Sequence, residues 1–181
     1  MATKTAWTLA DYMALPEGAP YELSEGELVV CAAPTFRHNE IRDLINASLR
    51  AWLRDHPMGV VTSESDFQLG PDTVRRPDVA FIRAERFQTE YESLNVQPMA
   101  PDLAVEIISS SDRPGAMQGK VNQYLAAGTV RVWVLYPEYG EAHLFTKPGI
   151  QPEVRSADRG EYMDAPELLP GWTMLLGSFL H

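Results

Sequence analysis

Residues 101–109 read PDLAVEIIS, an apolar run interrupted by one acid, Glu106. The segment from 103 to 108 is otherwise apolar, which is typical of a strand buried on both faces of a sheet. A carboxylate inside such a strand is costly unless it is neutralised or finds a cation. The run therefore predicts a central strand that carries a functional acid, with a metal ion or a cationic side chain beside it.

A helix and a second strand follow this run closely. The helix ends before Gly128, and residues 130–136 form the next apolar strand. A strand, a helix and a strand in this order are long enough for a parallel crossover, whereas the hairpin at residues 21–30 is antiparallel. We therefore expect an α/β (α+β) fold, a mixed β-sheet flanked by helices. Other predicted elements are helices at 8–13 and 38–53, strands at 60–69, 79–82 and 142–146, and an irregular tail at 151–181.

Composition limits the kind of protein this can be. The chain has 181 residues, of which 45% are hydrophobic and 22% charged, so we expect a packed core and a single domain over residues 1–181. No apolar run approaches the roughly 20 residues that span a bilayer, and the first residues are polar, so we expect a cytoplasmic protein without membrane contact. Cys31 is the only cysteine, which excludes an intrachain disulfide and a thiolate zinc site and suggests a small core residue.

The charge balance of the chain is strongly acidic. Fifteen basic residues stand against 25 acidic ones, for a net charge of -10. Such a chain repels a polyanion at long range and lacks the electrostatic attraction that dominates nucleic-acid affinity. A nuclease is still compatible with this charge, because a local basic patch, an oligomer or a bound divalent metal can offset it.

Two acids and one lysine are the candidate catalytic residues. Asp78 follows Pro77 at the start of a short apolar strand, so its carboxylate and that of Glu106 can converge if the two strands are neighbours. Two hard oxygen ligands, completed by water and a phosphate, suit Mg²⁺ or Mn²⁺. Lys120 lies on the helix that follows Glu106, and Tyr124 lies one turn further along on the same helix face.

Each of these residues also has a purely structural interpretation. Asp78 after Pro77 can be a turn residue that caps the backbone, and Asp102 after Pro101 is interpreted in that way. Glu106 can form a structural ion pair with an arginine such as Arg76 or Arg131. Lys120, taken alone, is typical of a solvated helix residue. Taken one by one, these residues leave both interpretations open.

Several different short motifs follow one another along the chain, and their order and spacing are informative together. They are Tyr21-Glu22-Leu23, Gly26-Glu27, Ala33-Pro34, His38, Pro77-Asp78-Val79, Val105-Glu106-Ile107, Lys120, Tyr124, Gly128 and Val132-Trp133-Val134. Together they resemble the Uma-two family of the PD-(D/E)XK, or restriction-endonuclease-like, superfamily. The resemblance extends from about residue 8 to residue 171.

The resemblance implies a nuclease and assigns a role to each motif residue. Asp78 and Glu106 would be the two acids that bind Mg²⁺ or Mn²⁺, with Glu22 as a further metal-side residue. The superfamily's usual lysine position is Ile108 here, and Lys120 matches the position to which this family moves its lysine. His38 and Tyr124 would be accessory residues of the pocket. The expected function is metal-dependent hydrolysis of DNA phosphodiester bonds by a homodimer or a higher homo-oligomer.

The chain also departs from the family pattern, and this leaves alternatives open. Ala116 and Gly119 occupy helix positions that often carry acids, and Tyr136 stands where the next strand often ends in an acid. One alternative is a catalytically degenerate, homo-oligomeric binding or regulatory protein of the same fold. A metal-dependent enzyme for a small phosphorylated molecule is a third possibility, and it would tolerate the acidic charge better.

Overall fold

The computed structural model describes residues 6–109 and 114–180. Within these ranges, the chain forms two β-sheets, a two-stranded ribbon and three α-helices. The helices are α1 (Leu9–Met13), α2 (Phe36–Asp55) and α3 (Pro114–Ala126). The strands are β1 (Tyr21–Ser24), β2 (Glu27–Val30), β3 (Gly59–Ser63), β4 (Asp66–Gly70), β5 (Thr73–Arg75), β6 (Val79–Arg83), β7 (Val96–Gln97), β8 (Leu103–Ile107), β9 (Arg131–Tyr136), β10 (Glu141–Phe145), β11 (Glu153–Ser156), β12 (Tyr162–Asp164) and β13 (Thr173–Leu175).

The larger sheet has six strands in the order β11-β10-β9-β8-β6-β3. Within it β8 and β9 pair in parallel, and α3 connects them, while the other neighbouring strands are antiparallel. A parallel pair needs a long crossover connection, which α3 supplies. The predicted mixed sheet with flanking helices is therefore confirmed.

Alternate residues of β8 face opposite sides of this sheet. Val105 and Ile107 belong to the main core cluster, which is packed on α2, whereas Ala104 belongs to a cluster with α3. Glu106 is in step with Ala104 and therefore faces α3. The strand is buried along its whole length, as the sequence predicted.

Helix α2 covers the opposite face of the six-stranded sheet. Its N-terminus is capped by Thr35, whose side chain accepts a hydrogen bond from the backbone N–H of His38. Ile41, Ile45 and Leu49 recur every four residues and are fully buried against the sheet. This packing fixes the first turn of α2, and with it His38, at the edge of the sheet.

The second sheet has five strands in the order β2-β1-β5-β4-β7. It contacts the first sheet where Phe67 of β4 packs against Ala80 and Ile82 of β6. The β1–β2 hairpin of this sheet lies across a cleft from α3, and the two elements line the same cavity. Both sheets thus contribute side chains to the cleft.

Three sequence predictions about local structure are wrong. Residues 60–69 form two strands, because Glu64 adopts a left-handed backbone conformation with φ +51° and breaks the run. The tail is more regular than predicted: β11 extends the large sheet, and the buried Trp172 stacks on Trp133 at a centroid distance of 5.6 Å. Cys31 is only half-buried and lines the cleft, so it is not a core residue.

In the described ranges, none of the helices combines the length and the apolar character that crossing a bilayer would require.

Candidate active site

Asp78 and Glu106 lie close together at the end of the large sheet where β6 begins and β8 ends. Asp78 immediately precedes β6, and its backbone N–H donates to the carbonyl of Val105 at 3.0 Å. The Oδ2 atom of Asp78 accepts from the backbone N–H of Ile107 at 2.6 Å. The antiparallel register of β6 and β8 therefore brings the Asp78 carboxylate to the part of β8 that carries Glu106.

Glu106 is held by two side chains of α3. The Tyr124 hydroxyl donates to Oε1 at 2.8 Å, and the Lys120 ammonium donates to Oε2 at 2.8 Å. These donors lie four residues apart and so share one helix face. Burial raises the pKa of Glu106, Lys120 partly opposes that rise, and the negative charges of Asp78 and Glu22 add to it, so that the pKa reaches about 7.

Glu22 projects from β1 into the same cluster. Its Oε1 atom lies 2.9 Å from Lys120 Nζ and accepts from the backbone N–H of Arg76 at 2.7 Å, while its Oε2 atom accepts from Arg75 Nη1 at 2.9 Å. Burial opposes its ionisation, but the charges of Lys120 and Arg75 outweigh burial and lower the pKa of Glu22. Glu22 is therefore a buried carboxylate with cationic partners.

Lys120 lies between the two acids. Burial disfavours its charged form, yet the adjacent charges of Glu106 and Glu22 raise its pKa above the usual lysine value. The ammonium group is therefore charged at neutral pH. A lysine with two carboxylate partners is not the solvated helix residue of the structural interpretation.

His38 reaches the site from the first turn of α2. Its Nε2 atom lies 3.2 Å from Asp78 Oδ1. The structure thus brings together all six residues that the sequence singled out. They are Glu22, His38, Asp78, Glu106, Lys120 and Tyr124.

The site opens into a cleft of about 920 Å³. Its lining combines acids and cations and lies between the β1–β2 hairpin, the segment after it and α3. The charged residues that line it are Glu22, Glu25, Glu64, Arg75, Arg76, Asp78, Glu106 and Lys120. A cleft of this size can accommodate part of a polymer or a small phosphorylated molecule.

Sequence reasoning missed Arg75. Its side chain is buried, and besides Glu22 it bonds the side chains of Gln123 on α3 at 2.7 Å and Ser24 on β1 at 2.7 Å. Arg75 therefore links the hairpin to the helix that carries Lys120. A basic residue at the end of the strand that leads into Pro77-Asp78 was the available signal, but its partner Glu22 lies 53 residues away in sequence.

The two arginines considered as structural partners of Glu106 form ion pairs with other acids. Arg76 pairs with Asp66 at 2.6 Å, and Arg131 pairs with Glu167 at 2.6 Å. Asp102 is more than the turn residue it was predicted to be, because it is fully buried and its carboxylate contacts two arginine side chains, Arg83 and Arg86. The sequence from Ser109 to Pro114 predicts a loop and a helix cap, and this prediction falls on residues 110–113, which lie outside the described ranges.

The donor chemistry of Asp78 and Glu106 fits a hard divalent cation. Both offer carboxylate oxygens, and a bound cation would oppose the burial and the neighbouring negative charges that raise the pKa of Glu106. Glu22 offers less, because its two oxygens accept from three donors, two of them cationic, whereas the two oxygens of Glu106 accept from one cation and one neutral hydroxyl. No group of three or more His, Cys, Asp or Glu side chains within residues 6–109 and 114–180 is arranged to hold a metal. The arrangement fits two protein ligands completed by water or substrate.

The mixed sheet, with two acids and a lysine grouped where β8 ends and β6 begins, is typical of the restriction-endonuclease-like proteins. The family model Uma2, described as "Putative restriction endonuclease", matches residues 9–177, so the chain belongs to that family. The fold is also that of a "putative nuclease belonging to DUF820" from Anabaena variabilis ATCC 29413, solved by crystallography, with a TM-score of 0.85 and 20% sequence identity. That alignment covers 96% of this chain and 99% of the other. A comparison with curated proteins gives no match.

Proposed function

We propose that this protein is an endonuclease that hydrolyses DNA phosphodiester bonds with Mg²⁺ or Mn²⁺, and that it acts as one domain. Membership of the Uma2 family supports the nuclease class. The observation that carries the proposal is the Lys120 ammonium between two carboxylates, one of which is next to Asp78 at the sheet edge. A charged lysine beside paired acids suits the handling of a phosphate and an attacking water.

Asp78 and Glu106 are the proposed metal ligands. When bound, the ion would lower the pKa of a water and neutralise charge on the phosphate. Ile107 holds the Asp78 carboxylate through its backbone N–H, and Tyr124 holds Glu106 through its hydroxyl. These two donors, together with Lys120, hold the acids in position before any substrate enters.

Lys120 is the proposed residue that orients the attacking water and stabilises charge on the phosphate. Glu22 keeps its ammonium group charged and, being bonded to Arg75, stays in place when Glu106 takes another partner. We therefore assign Glu22, first expected on the metal side, to the positioning of Lys120. His38 is assigned to the positioning of Asp78.

A cleavage assay with a matched lysine control tests this function. Purified protein with Mg²⁺ or Mn²⁺ should cut plasmid or single-stranded DNA, and Lys120→Ala should lower the rate by at least about 100-fold. Lys147 is exposed and distant in sequence from the site, so Lys147→Ala should cut like the wild type. Equal cutting by the wild type and Lys120→Ala would refute the assigned chemistry. Activity on a small phosphodiester such as bis(p-nitrophenyl) phosphate, without cutting of polymers, would instead favour the small-molecule enzyme.

The second candidate is a degenerate binding or regulatory protein of the same fold. It is favoured by Ala116 and Gly119 at helix positions where acids are expected, and by the net charge of -10. Calorimetric titration with Mn²⁺ separates the two candidates. The nuclease should bind Mn²⁺, and Asp78→Asn or Glu106→Gln should abolish binding, whereas Glu25→Gln in the same cleft should not.

The assembly is also part of the proposal. Cutting both strands of a duplex is efficient when two copies of an active site act together, so we propose a homodimer or a higher homo-oligomer in the cytoplasm. Sedimentation of the purified protein over a range of concentrations would test the assembly, and a monomer at every concentration would contradict it.

A further inference from the structure

A second cavity, of about 360 Å³, opens beside the candidate active site and shares His38 and Ser109 with the cleft. We propose that this cavity binds a nucleobase of the substrate strand, with Tyr136 and Tyr139 contacting the base. The proposal rests on the nuclease function and adds to it a site for the base next to the phosphate that is cut.

The cavity lies at the same end of the large sheet as the two acids, where β8 and β9 end. Ile107 pairs with Leu135 in the parallel β8–β9 register, and the backbone N–H of Ile108 donates to the Leu135 carbonyl at 2.8 Å. Tyr136 therefore lies beside Ile108, two residues beyond Glu106, which is about 7 Å along the strand. A nucleotide whose phosphate lies at Glu106 can thus place its own base, or the next one, in the cavity.

The two tyrosines are held by the local backbone and by packing. Tyr139 ends a short 3₁₀ helix, Pro137–Tyr139, whose C-cap Gly140 has the left-handed φ of +60° that favours glycine. Tyr136 packs against His143 with a centroid distance of 4.5 Å. Tyr139 is 67% exposed, and within the described part of the chain its side chain makes no hydrogen bond or ring contact. Its backbone position is set by the 3₁₀ helix, and its ring is open to a ligand.

The chemistry of the cavity suits a base better than a phosphate. Glu138 lines it with a negative charge, and the Arg37 guanidinium is already bonded to Glu40 at 2.8 Å and to the carbonyl of Phe179 at 3.0 Å. Base stacking on an aromatic ring needs no positive charge and tolerates any sequence. For a chain with a net charge of -10, stacking supplies affinity that long-range electrostatics withholds.

Binding of short single-stranded oligonucleotides, measured without divalent metal so that no cutting occurs, tests the proposal. Tyr139→Ala should weaken binding about tenfold, whereas Tyr139→Phe should keep it, because the ring and not the hydroxyl makes the stack. Tyr162 is 50% exposed on β12, and Tyr162→Ala is the matched control that should bind like the wild type.

Oligonucleotides that lack a single base, at each position in turn, provide the second arm. At one position, removal of the base should weaken wild-type binding about tenfold and should have little further effect on Tyr139→Ala, since both changes remove the same contact. Equal binding of DNA by the wild type and Tyr139→Ala would overturn the proposal. So would a loss of self-association in Tyr139→Ala with unchanged DNA binding, which would assign the cavity to a second copy of the chain. A base effect in these titrations, together with no cleavage of the same oligonucleotides once Mg²⁺ or Mn²⁺ is added, would refute the nuclease function and leave the base site intact.

Discussion

At the scale of single residues, Glu106 and Glu22 differ in ionisation although both are buried acids. Glu22 accepts hydrogen bonds from Arg75 and a backbone amide and also contacts Lys120, and its pKa is lowered. Glu106 also accepts from Lys120, but its second donor is the neutral Tyr124 hydroxyl, and its pKa is raised to about 7. Near neutral pH one acid is therefore fixed as an anion and the other can gain or lose a proton.

The pKa of Glu106 predicts how metal binding depends on pH. The protonated acid cannot act as a charged ligand, so each unit of pH below about 7 should weaken Mn²⁺ binding about tenfold, with a plateau above that value. Calorimetric titrations across the range measure this slope. Mn²⁺ affinity that stays constant as the pH is lowered through this range would contradict the assignment of Glu106 as a ligand.

Removal of Arg75 should leave Glu22 as a buried charge with too few partners. We expect Arg75→Gln to lower the free energy of unfolding by about 3 kcal/mol near neutral pH, measured by urea denaturation. The pKa of Glu22 is lowered by folding, so its stabilisation is present above its unfolded value of 4.5 and is lost as the pH falls through the folded pKa. The effect of Arg75→Gln should therefore shrink in acid.

Two variants control this experiment. The double variant Arg75→Gln, Glu22→Gln should recover much of the lost stability, because the charge that needs a partner is gone. Arg159 is exposed at the surface, and Arg159→Gln should leave stability nearly unchanged. An equal loss in the single and double variants would mean that packing of the arginine, and not its charge, matters.

At the scale of elements, α3 carries two hydrogen-bond donors of the candidate site, Lys120 and Tyr124, on a helix that contains glycine. A Cβ atom added at Gly119 would meet nothing within 4 Å apart from neighbouring helix backbone, whereas one added at Gly59 in β3 would lie 2.1 Å from the Ile82 carbonyl oxygen. The two glycines therefore have different reasons to be glycine. Gly119 has room for a side chain, whereas Gly59 allows two strands to approach.

Alanine substitutions should separate these reasons. Gly119→Ala should raise the free energy of unfolding by about 1 kcal/mol, because alanine favours the helix and loses less conformational entropy on folding. Gly59→Ala should lower it by about 2 kcal/mol or more, because the strand must shift. Thermal and urea unfolding of the two variants measure both effects. Destabilisation by Gly119→Ala would show that this position needs glycine for its backbone.

The elements that the sequence predicted well are those with long, local signals. The run around Glu106 and the helix before Gly128 were predicted because apolar spacing and a terminating glycine lie within one segment. The strands β11 and β12 are three or four residues long and exist through pairing with partners, so their own sequence carries little signal. The role of Arg75 depends on Glu22, a contact across two strands that no local pattern encodes.

At the scale of the whole molecule, the cations of the cleft are already engaged by acids. Lys120 and Arg75 contact Glu22, and Arg76 pairs with Asp66. A net charge of -10 adds no general attraction for a polyanion. In the proposed function, affinity for DNA would then come mainly from the proposed metal ligands and the proposed base site.

Salt dependence distinguishes this mode of binding from an electrostatic one. For single strands, the logarithm of the binding constant falls with the logarithm of salt by about 0.7 for each phosphate that a protein cation neutralises. With the cleft cations engaged by Glu22 and Asp66, we expect a slope shallower than about -2 in titrations of the oligonucleotide without divalent metal. A slope steeper than about -4 would mean that several cations contact phosphates, as when copies of the chain assemble a basic surface. The same titration on Tyr139→Ala should give a weaker constant with the same slope, because stacking releases no counterions.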